Sequence, residues 1–338
     1  MRGHLPRERA LGVQGIEDAA TISVSPMQTL GTVLSGASNR DCDLPPDLHT
    51  ARAIKLGNLN QKAKFWISRN KIPRYMTVEE HIKASRLEEG LALAQEAVRK
   101  TPAEARPRIL LFQLLSVLGQ WERALTQLNV LRDMDPECMV LAEIFRPVLQ
   151  CEALREEIFA GKRSPLIFGE PMEWIGLLVQ ANALLAQGQA AAALELRDKA
   201  FEAAPATAGK LNDQSFEWIA DADSRFGPMA EAIIDGKYYW VPFFRISSIR
   251  TGAPQDLRDL VWTAAQFTWV NGGEAPGFIP TRYPGTEKTT DNSLRLARKT
   301  EWNDQGNETF LGVGQRMFAT DQAETALTEV RQIELTQS

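Results

Sequence analysis

A glycine, a tryptophan, an alanine and a proline place the strongest constraint on this chain. Gly119, Trp121, Ala124 and Pro136 follow the apolar run 108–118 at the intervals of a helical hairpin. In such a unit a small residue permits the tight turn, an aromatic opens the second helix, a small residue lets the helices approach, and a proline closes the repeat. One 34-residue period upstream, Leu87, Gly90, Leu91 and Pro102 stand where Trp121, Ala124, Leu125 and Pro136 stand. Downstream, Gly188, Ala193, Leu194, Ala200, Phe201 and Pro205 repeat the pattern, with Pro205 two periods and one residue past Pro136. The segment between, 137–170, is degenerate and reads as interrupted at Pro147, Gly161 and Pro165. Three phased copies predict stacked helical hairpins, each burying its apolar face on its neighbours; the alternative is an irregular helical bundle. In either, Trp121 is a packing residue.

The fold expected is α+β: an N-terminal TPR-like (tetratricopeptide-like) helical-repeat arm over 76–205, then a β-rich C-terminal domain over 206–338 forming a small bent sheet or open barrel. The arm starts at Thr77-Val78-Glu79-Glu80, which has the Thr-x-x-Glu form of a capping box. Residues 1–75 carry no sustained period and are expected to be disordered or to precede the true start at Met76. Beyond Pro205, short helices are expected at Gln214–Arg225 and Met229–Asp235. Tyr238–Val241 and Phe243–Ile249 are rich in aromatic and β-branched residues and read as strands. Gln266–Val270 and Gly277–Tyr283 flank Asn271-Gly272-Gly273 and read as a hairpin, because Asn and Gly tolerate positive φ. Leu294–Trp302, Thr309–Phe318 and Ala326–Leu335 complete about six strands.

Charge and histidine usage narrow the chemistry. Residues 1–75 hold 11 Lys/Arg against 6 Asp/Glu, which leaves 27 against 37 for the remainder and a net charge of −5 overall. The body is acidic and lacks the basic face that a phosphate backbone requires, so no nucleic-acid partner is expected. All three histidines, His4, His49 and His81, lie before residue 82. The rest of the chain therefore cannot run a His-dependent nucleophilic mechanism or build a His-containing zinc site. Cys42, Cys138 and Cys151 form no C-x-x-C pair and read as buried thiols. No apolar run reaches the roughly 18–20 residues that span a bilayer, and the N-terminus lacks the form of a signal peptide, so no membrane insertion and a cytoplasmic location are expected.

The densest polar cluster is Glu217-Trp218-Ile219-Ala220-Asp221-Ala222-Asp223-Ser224-Arg225. On the expected helix, Glu217, Asp221 and Arg225 fall on one face as i,i+4 neighbours. Paired carboxylates there permit acid–base chemistry, but a salt-bridged face or a partner contact satisfies the same spacing. Gly161-Lys162-Arg163-Ser164 fails as a phosphate loop, since Glu156 stands where the first Gly belongs and Arg163 where Ser or Thr follows Lys. Gly312-Val313-Gly314 lacks a third glycine, and Asn307-Glu308-Thr309 fits a glycosylation acceptor that a cytoplasmic protein does not use. Of Trp218, Tyr238, Tyr239, Trp240, Trp262 and Trp269, most belong to a core and one or two suit an interface. Trp218, Asp221, Asp223, Arg225 and Tyr239 are the candidate partner-binding residues. No catalytic residue, metal ligand or cofactor is expected.

Six ordered blocks, 216–227, 236–243, 257–262, 267–273, 277–285 and 296–302, resemble the ImpE/TagJ (SciE-type) family, and the likeness spans about 77–334. The resemblance implies a cytoplasmic, non-catalytic adaptor of the virulence-associated type VI secretion system. It implies binding to the small subunit of the contractile sheath through that subunit's N-terminal helix, and a link to the AAA+ ATPase that disassembles the sheath. Helix-in-groove recognition on a concave repeat surface fits that role. The alternatives are an enzyme built on Glu217, Asp221, Asp223 and Arg225, for which those groups must converge in a pocket, and a structural module forming a homodimer.

Overall fold

The computed structural model describes residues 76–336 apart from Asp135 and the side chain of Glu137. The expectations for residues 1–75, including Met76 as the start, and for Cys42, His4 and His49 lie outside the described residues.

Among the described residues, seven helices build the arm. Thr77 and Glu80 exchange side-chain and backbone bonds of 2.8 and 3.2 Å at the start of α1 (Val78–Lys83), completing the capping box. Then follow α2 (Leu87–Lys100), α3 (Ala105–Val117), α4 (Trp121–Met134), α5 (Pro136–Phe159), α6 (Glu173–Ala186) and α7 (Ala190–Ala203), with the two-residue strand β1 (Leu166–Ile167) between α5 and α6. Ala124, Leu128 and Leu131 of α4 are fully buried, and Gly90 and Ala94, 34 residues before Ala124 and Leu128, are buried in α2. The 34-residue phase is therefore a packing phase.

Most of the unit read as degenerate, up to Phe159, is one helix. α5 is 24 residues long and runs through Pro147. Gly161 does not interrupt it but stops it: φ is +71°, Gly161 N donates to Ile158 O at 2.9 Å and Lys162 N to Glu157 O at 2.9 Å. This is the left-handed C-terminal cap in which glycine escapes the Cβ penalty. Gly119 closes α3 in the same way at φ +67°, and a Cβ there would lie 2.5 Å from the Glu287 side chain.

The strand-rich region comprises β2 (Gly209–Leu211), β3 (Gln214–Phe216), β4 (Ile219–Asp221), β5 (Met229–Ile234), β6 (Lys237–Pro242), β7 (Ile246–Thr251), β8 (Trp262–Trp269), β9 (Glu274–Pro280), the short helix α8 (Asn292–Arg295), β10 (Thr300–Asp304), β11 (Phe310–Gly314), β12 (Met317–Thr320), β13 (Glu324–Ala326) and β14 (Gln332–Leu335). The main sheet has the order β1-β6-β5-β9-β8-β7-β14-β2-β3; β13-β12-β4 and β10-β11 form two smaller sheets. Among the described residues the main sheet stays open, with β1 and β3 at its edges, so the α+β reading holds without a closed barrel.

Three expectations are corrected. Gln214–Arg225 is not a helix but β3, β4 and a tight turn, and Met229–Asp235 is not a helix but β5. Every residue of β5 is buried between β6 and β9, and a strand buried on both faces shows no alternation, so its apolar run mimics a short helix. Leu294–Trp302 divides into α8 and β10, and among the described residues thirteen strands, β2 to β14, stand where about six were expected.

The arm and the sheet share one core. Residues 111–117 of α3 are buried without a break, which a helix shows only when it is covered all round. One side meets α4; the segment Leu257–Leu260 before β8 packs on α3 as well. Trp262 of β8 lies 6.1 Å from Trp121 and 5.7 Å from Phe145, ring to ring. β1 pairs in parallel with β6, Leu166 opposite Tyr239. The face that α3 and α5 turn toward the strands is thus filled by the chain's own sheet.

Candidate functional site

Where arm meets sheet, eight charged side chains are buried together. Glu152 and Arg155 lie one turn apart on α5. The Arg155 guanidinium grips Glu231 of β5 with both ends, Nε to Oε1 at 2.6 Å and Nη2 to Oε2 at 2.8 Å, and Nη2 also reaches Arg282 O at 2.9 Å. Tyr238 donates its hydroxyl to Glu231 and accepts from Trp240 Nε1 at 2.8 Å. Arg316, between β11 and β12, bridges Glu231 and Asp221 and donates Nε–H to Pro280 O at 2.9 Å. Its guanidinium sits 4.9 Å from the Phe226 ring centre and 5.1 Å from that of Tyr283. Trp262 Nε1 caps Glu152 at 2.7 Å, and Arg282 donates to Val117 O at 2.7 Å.

The 221–225 turn is the outer end of the same network. Asp221 accepts from Asp223 N at 2.9 Å. Asp223, fully buried, accepts from Arg225 N at 2.8 Å, Arg225 Nε at 2.9 Å, Arg225 Nη2 at 2.6 Å and Gly312 N at 2.7 Å. Both carboxylates fold the chain onto themselves, which is why a run that scores as an i,i+4 helix face becomes a turn. Glu217 does not join them: it is exposed, and its backbone N–H bonds Asp321 Oδ1 at 2.7 Å. Trp218 is half-buried, and so is Tyr239, whose ring meets Phe168 edge-on at 5.8 Å. The five candidates therefore divide: Asp221, Asp223 and Arg225 have their polar groups committed inside the molecule, while Trp218 and Tyr239 keep access to solvent.

Burial lifts the Asp221 carboxyl to about 7 against the opposing pull of Arg316. For Glu231 burial acts the same way, but Arg155 and Arg316 together overcome it and hold the group at about 2. Glu152, with burial outweighing Arg155, is raised. The signs give a prediction. A carboxyl raised above its unfolded value contributes stability that is complete below that value and is lost as pH rises through about 7. Asn stands in permanently for the protonated acid. Asp221→Asn is therefore expected to gain stability relative to wild type as pH rises from 5 to 8, by urea unfolding at each pH; a constant or falling difference contradicts the assignment.

Chemically the site is closed. Each carboxylate has its donors in place, and among the described residues no group of three or more His, Cys, Asp and Glu is arranged to hold a metal ion. Cys138 and Cys151 are buried free thiols, and burial pushes Cys151 up to about 12. Gly161, Lys162, Arg163 and Ser164 line a cleft of only about 120 Å³ over Trp240. Glu152, Arg155, Glu231, Arg282 and Arg316 were not singled out from the sequence. The signal for Glu231 and Arg316 was present: a lone charge inside an apolar run, Met229-Ala230-Glu231-Ala232-Ile233 and Gln315-Arg316-Met317-Phe318, is tolerated only when paired.

A helical-hairpin arm locked face-on to an open sheet by buried charges that are paired within the chain defines a two-part α+β scaffold. The ImpE protein family model matches residues 213–334. The type VI secretion system accessory component TagJ of Pseudomonas aeruginosa is 46% identical over 259 residues, covering 77% of this chain and 91% of that protein. The X-ray structure of protein VPA1032 from Vibrio parahaemolyticus superposes with a TM-score of 0.71 at 24% identity, over 77% of this chain and 98% of that one; it shares the fold. The chain belongs to the ImpE family. No helix among the described residues is long and apolar enough to cross a membrane.

Proposed function

We propose that this protein is a non-catalytic accessory component of a type VI secretion system. In this reading it is a cytoplasmic adaptor that binds the small contractile-sheath subunit through that subunit's N-terminal helix. The AAA+ ATPase that disassembles the sheath is a second contact. The arm, 76–205, and the strand-rich unit, 206–338, act as its two lobes. The observation that carries the reading is the 46% identity, over most of both chains, to a protein named as an accessory component of that system. The closed junction supports it, because Asp221, Asp223 and Arg225, the groups an enzyme would need, are saturated by partners within the chain. Of the candidate contacts, Trp218 and Tyr239 touch the partner directly, while Asp221, Asp223 and Arg225 shape the turn that follows Trp218.

Calorimetry of the full chain with a peptide copied from the N-terminal helix of the cognate small sheath subunit tests this. Saturable binding near micromolar Kd, about 8 kcal/mol, with none for a scrambled peptide, is the expected result. A folded chain that ignores the peptide overturns the sheath contact.

A further inference from the structure

β10 and β11 form a two-stranded finger with one covered edge and one open edge. The ladder runs from Thr300 opposite Gly314 to Asp304 opposite Phe310. Just beyond its ends, Gln315 N donates to Lys299 O at 2.9 Å and Gln305 N to Thr309 O at 2.9 Å. Bonded pairs alternate along an antiparallel ladder, so Lys299, Glu301, Asn303 and Gln305 turn their backbone groups toward β11, while Thr300, Trp302 and Asp304 turn theirs away from it. The corresponding groups on the far side of β11 are used. Phe310 N bonds Ser224 Oγ at 2.9 Å, Gly312 N the Asp223 carboxylate at 2.7 Å, and Gly314 O accepts from Tyr283 N at 2.9 Å. On the far side of β10, no strand among the described residues pairs with Thr300, Trp302 or Asp304, and every residue from Glu301 to Glu308 is exposed. Trp302, whose ring lies 5.6 Å from that of Tyr283, is the one aromatic among the exposed large hydrophobics of the described residues, at 36%.

An open edge is a template for another strand, and edges kept single are commonly blunted by proline, lysine or a bulge. Thr300–Asp304 has none of the three. Its sequence selects a second copy of itself. In an antiparallel pair with the two-fold axis at Trp302, Trp302 faces Trp302 and Thr300 faces Asp304, so every outward N–H and C=O of the strand finds its partner within the same strand of the other copy. Glu301 then falls opposite Asn303, no like charges meet directly, and Lys299 already holds Glu301 at 2.6 Å. A central aromatic pair flanked by polar pairs without like charges is favourable across such a ladder. Moving the axis to Glu301 sets two carboxylates face to face, and moving it to Asn303 sends Thr300 opposite Gly306, beyond the end of the strand. A single short ladder is smaller than the roughly 800 Å² per partner of a stable interface, so the pair is a weak one, with Kd on the order of 100 μM.

We propose that β10 is a self-association edge, at which two copies of this chain pair antiparallel about Trp302 and join their fingers into one sheet, β11-β10-β10-β11. The pairing is a property of the chain alone and does not rest on the sheath contact. Sedimentation of the full chain from about 10 to about 500 μM is expected to show reversible association toward twice 37.6 kDa. A chain that stays monomeric throughout overturns the pairing. Hydrogen exchange of the wild-type chain over the same range reads the register without any substitution. The amides of Thr300, Trp302 and Asp304 are expected to slow at least twofold at the higher concentration, while those of Glu301 and Asn303, already bonded to β11, keep their rates. Association that leaves the three outward amides unchanged puts the contact elsewhere and overturns the edge. Trp302→Lys and Trp302→Glu each set like charges opposite one another across the axis and are each expected to raise Kd at least fivefold. An equimolar mixture of the two sets opposite charges there and is expected to associate at least threefold more tightly than either variant alone. A mixture no tighter than its components, or a single variant that associates as well as wild type, overturns the two-fold pairing.

Discussion

Arg316→Met is expected to lower the unfolding free energy by about 3–5 kcal/mol, the cost of removing one partner from a buried ion pair. Arg316 is fully buried, and its loss leaves Asp221 without its charged donor and Glu231 held by Arg155 and Tyr238. Neither carboxylate can reach water to recover. The loss comes from buried carboxyls left without their donor, not from missing volume, because Met fills much of the space of the Arg stem. Urea unfolding of wild type and variant at pH 7 measures it. A second comparison separates the two causes: without Arg316 the Asp221 carboxyl, already lifted by burial, has to take up a proton to stay buried at pH 7, and Asp221→Asn removes that cost, so the double variant is expected to be more stable than Arg316→Met alone. A loss below about 1 kcal/mol in the single variant would mean that water enters the junction.

Trp262→Ala is expected to cost about 3–5 kcal/mol, in the range for deleting a large buried aromatic. The indole packs against Trp121 of α4 and Phe145 of α5, and its N–H is the donor to Glu152 Oε1. Trp262→Phe keeps most of the ring contact and removes only that donor, so about 1–3 kcal/mol is expected from the unpaired Glu152 oxygen. Because these contacts join the arm to the sheet, the Ala variant is also expected to lose cooperativity, with helical and tryptophan-fluorescence signals unfolding at different urea concentrations. Coincident transitions in Trp262→Ala would show that the two parts stay coupled through the charge network alone.

Both predictions concern the junction, the part of the molecule least legible in the linear chain. The helical hairpins were legible because their determinants are local: Gly119 and Gly188 in left-handed caps, Ala124 and Gly90 as small buried residues at the same repeat position, and the Thr77–Glu80 box. The β8–β9 hairpin was legible for the same reason, its register following from the turn at 271–273. The family likeness added the strand-rich region as a unit, though not its internal geometry.

What the sequence alone could not decide is which charges are inside. Asp221, Asp223 and Arg225 occupy helical spacing, and their i,i+4 pairing is as good on paper as the turn they form. The choice between them is made by residues about 90 positions away, where Gly312 N donates to Asp223 and Arg316 to Asp221. The same is true of β5, whose apolar run acquires strand character only between β6 and β9, and of the arm's α3–α5 face, whose apolar side chains read alike whether they await a partner or meet the chain's own sheet. Local backbone chemistry determined the repeats, caps and turns; long-range desolvation, which forces buried charges to find each other and apolar faces to be covered, determined the rest.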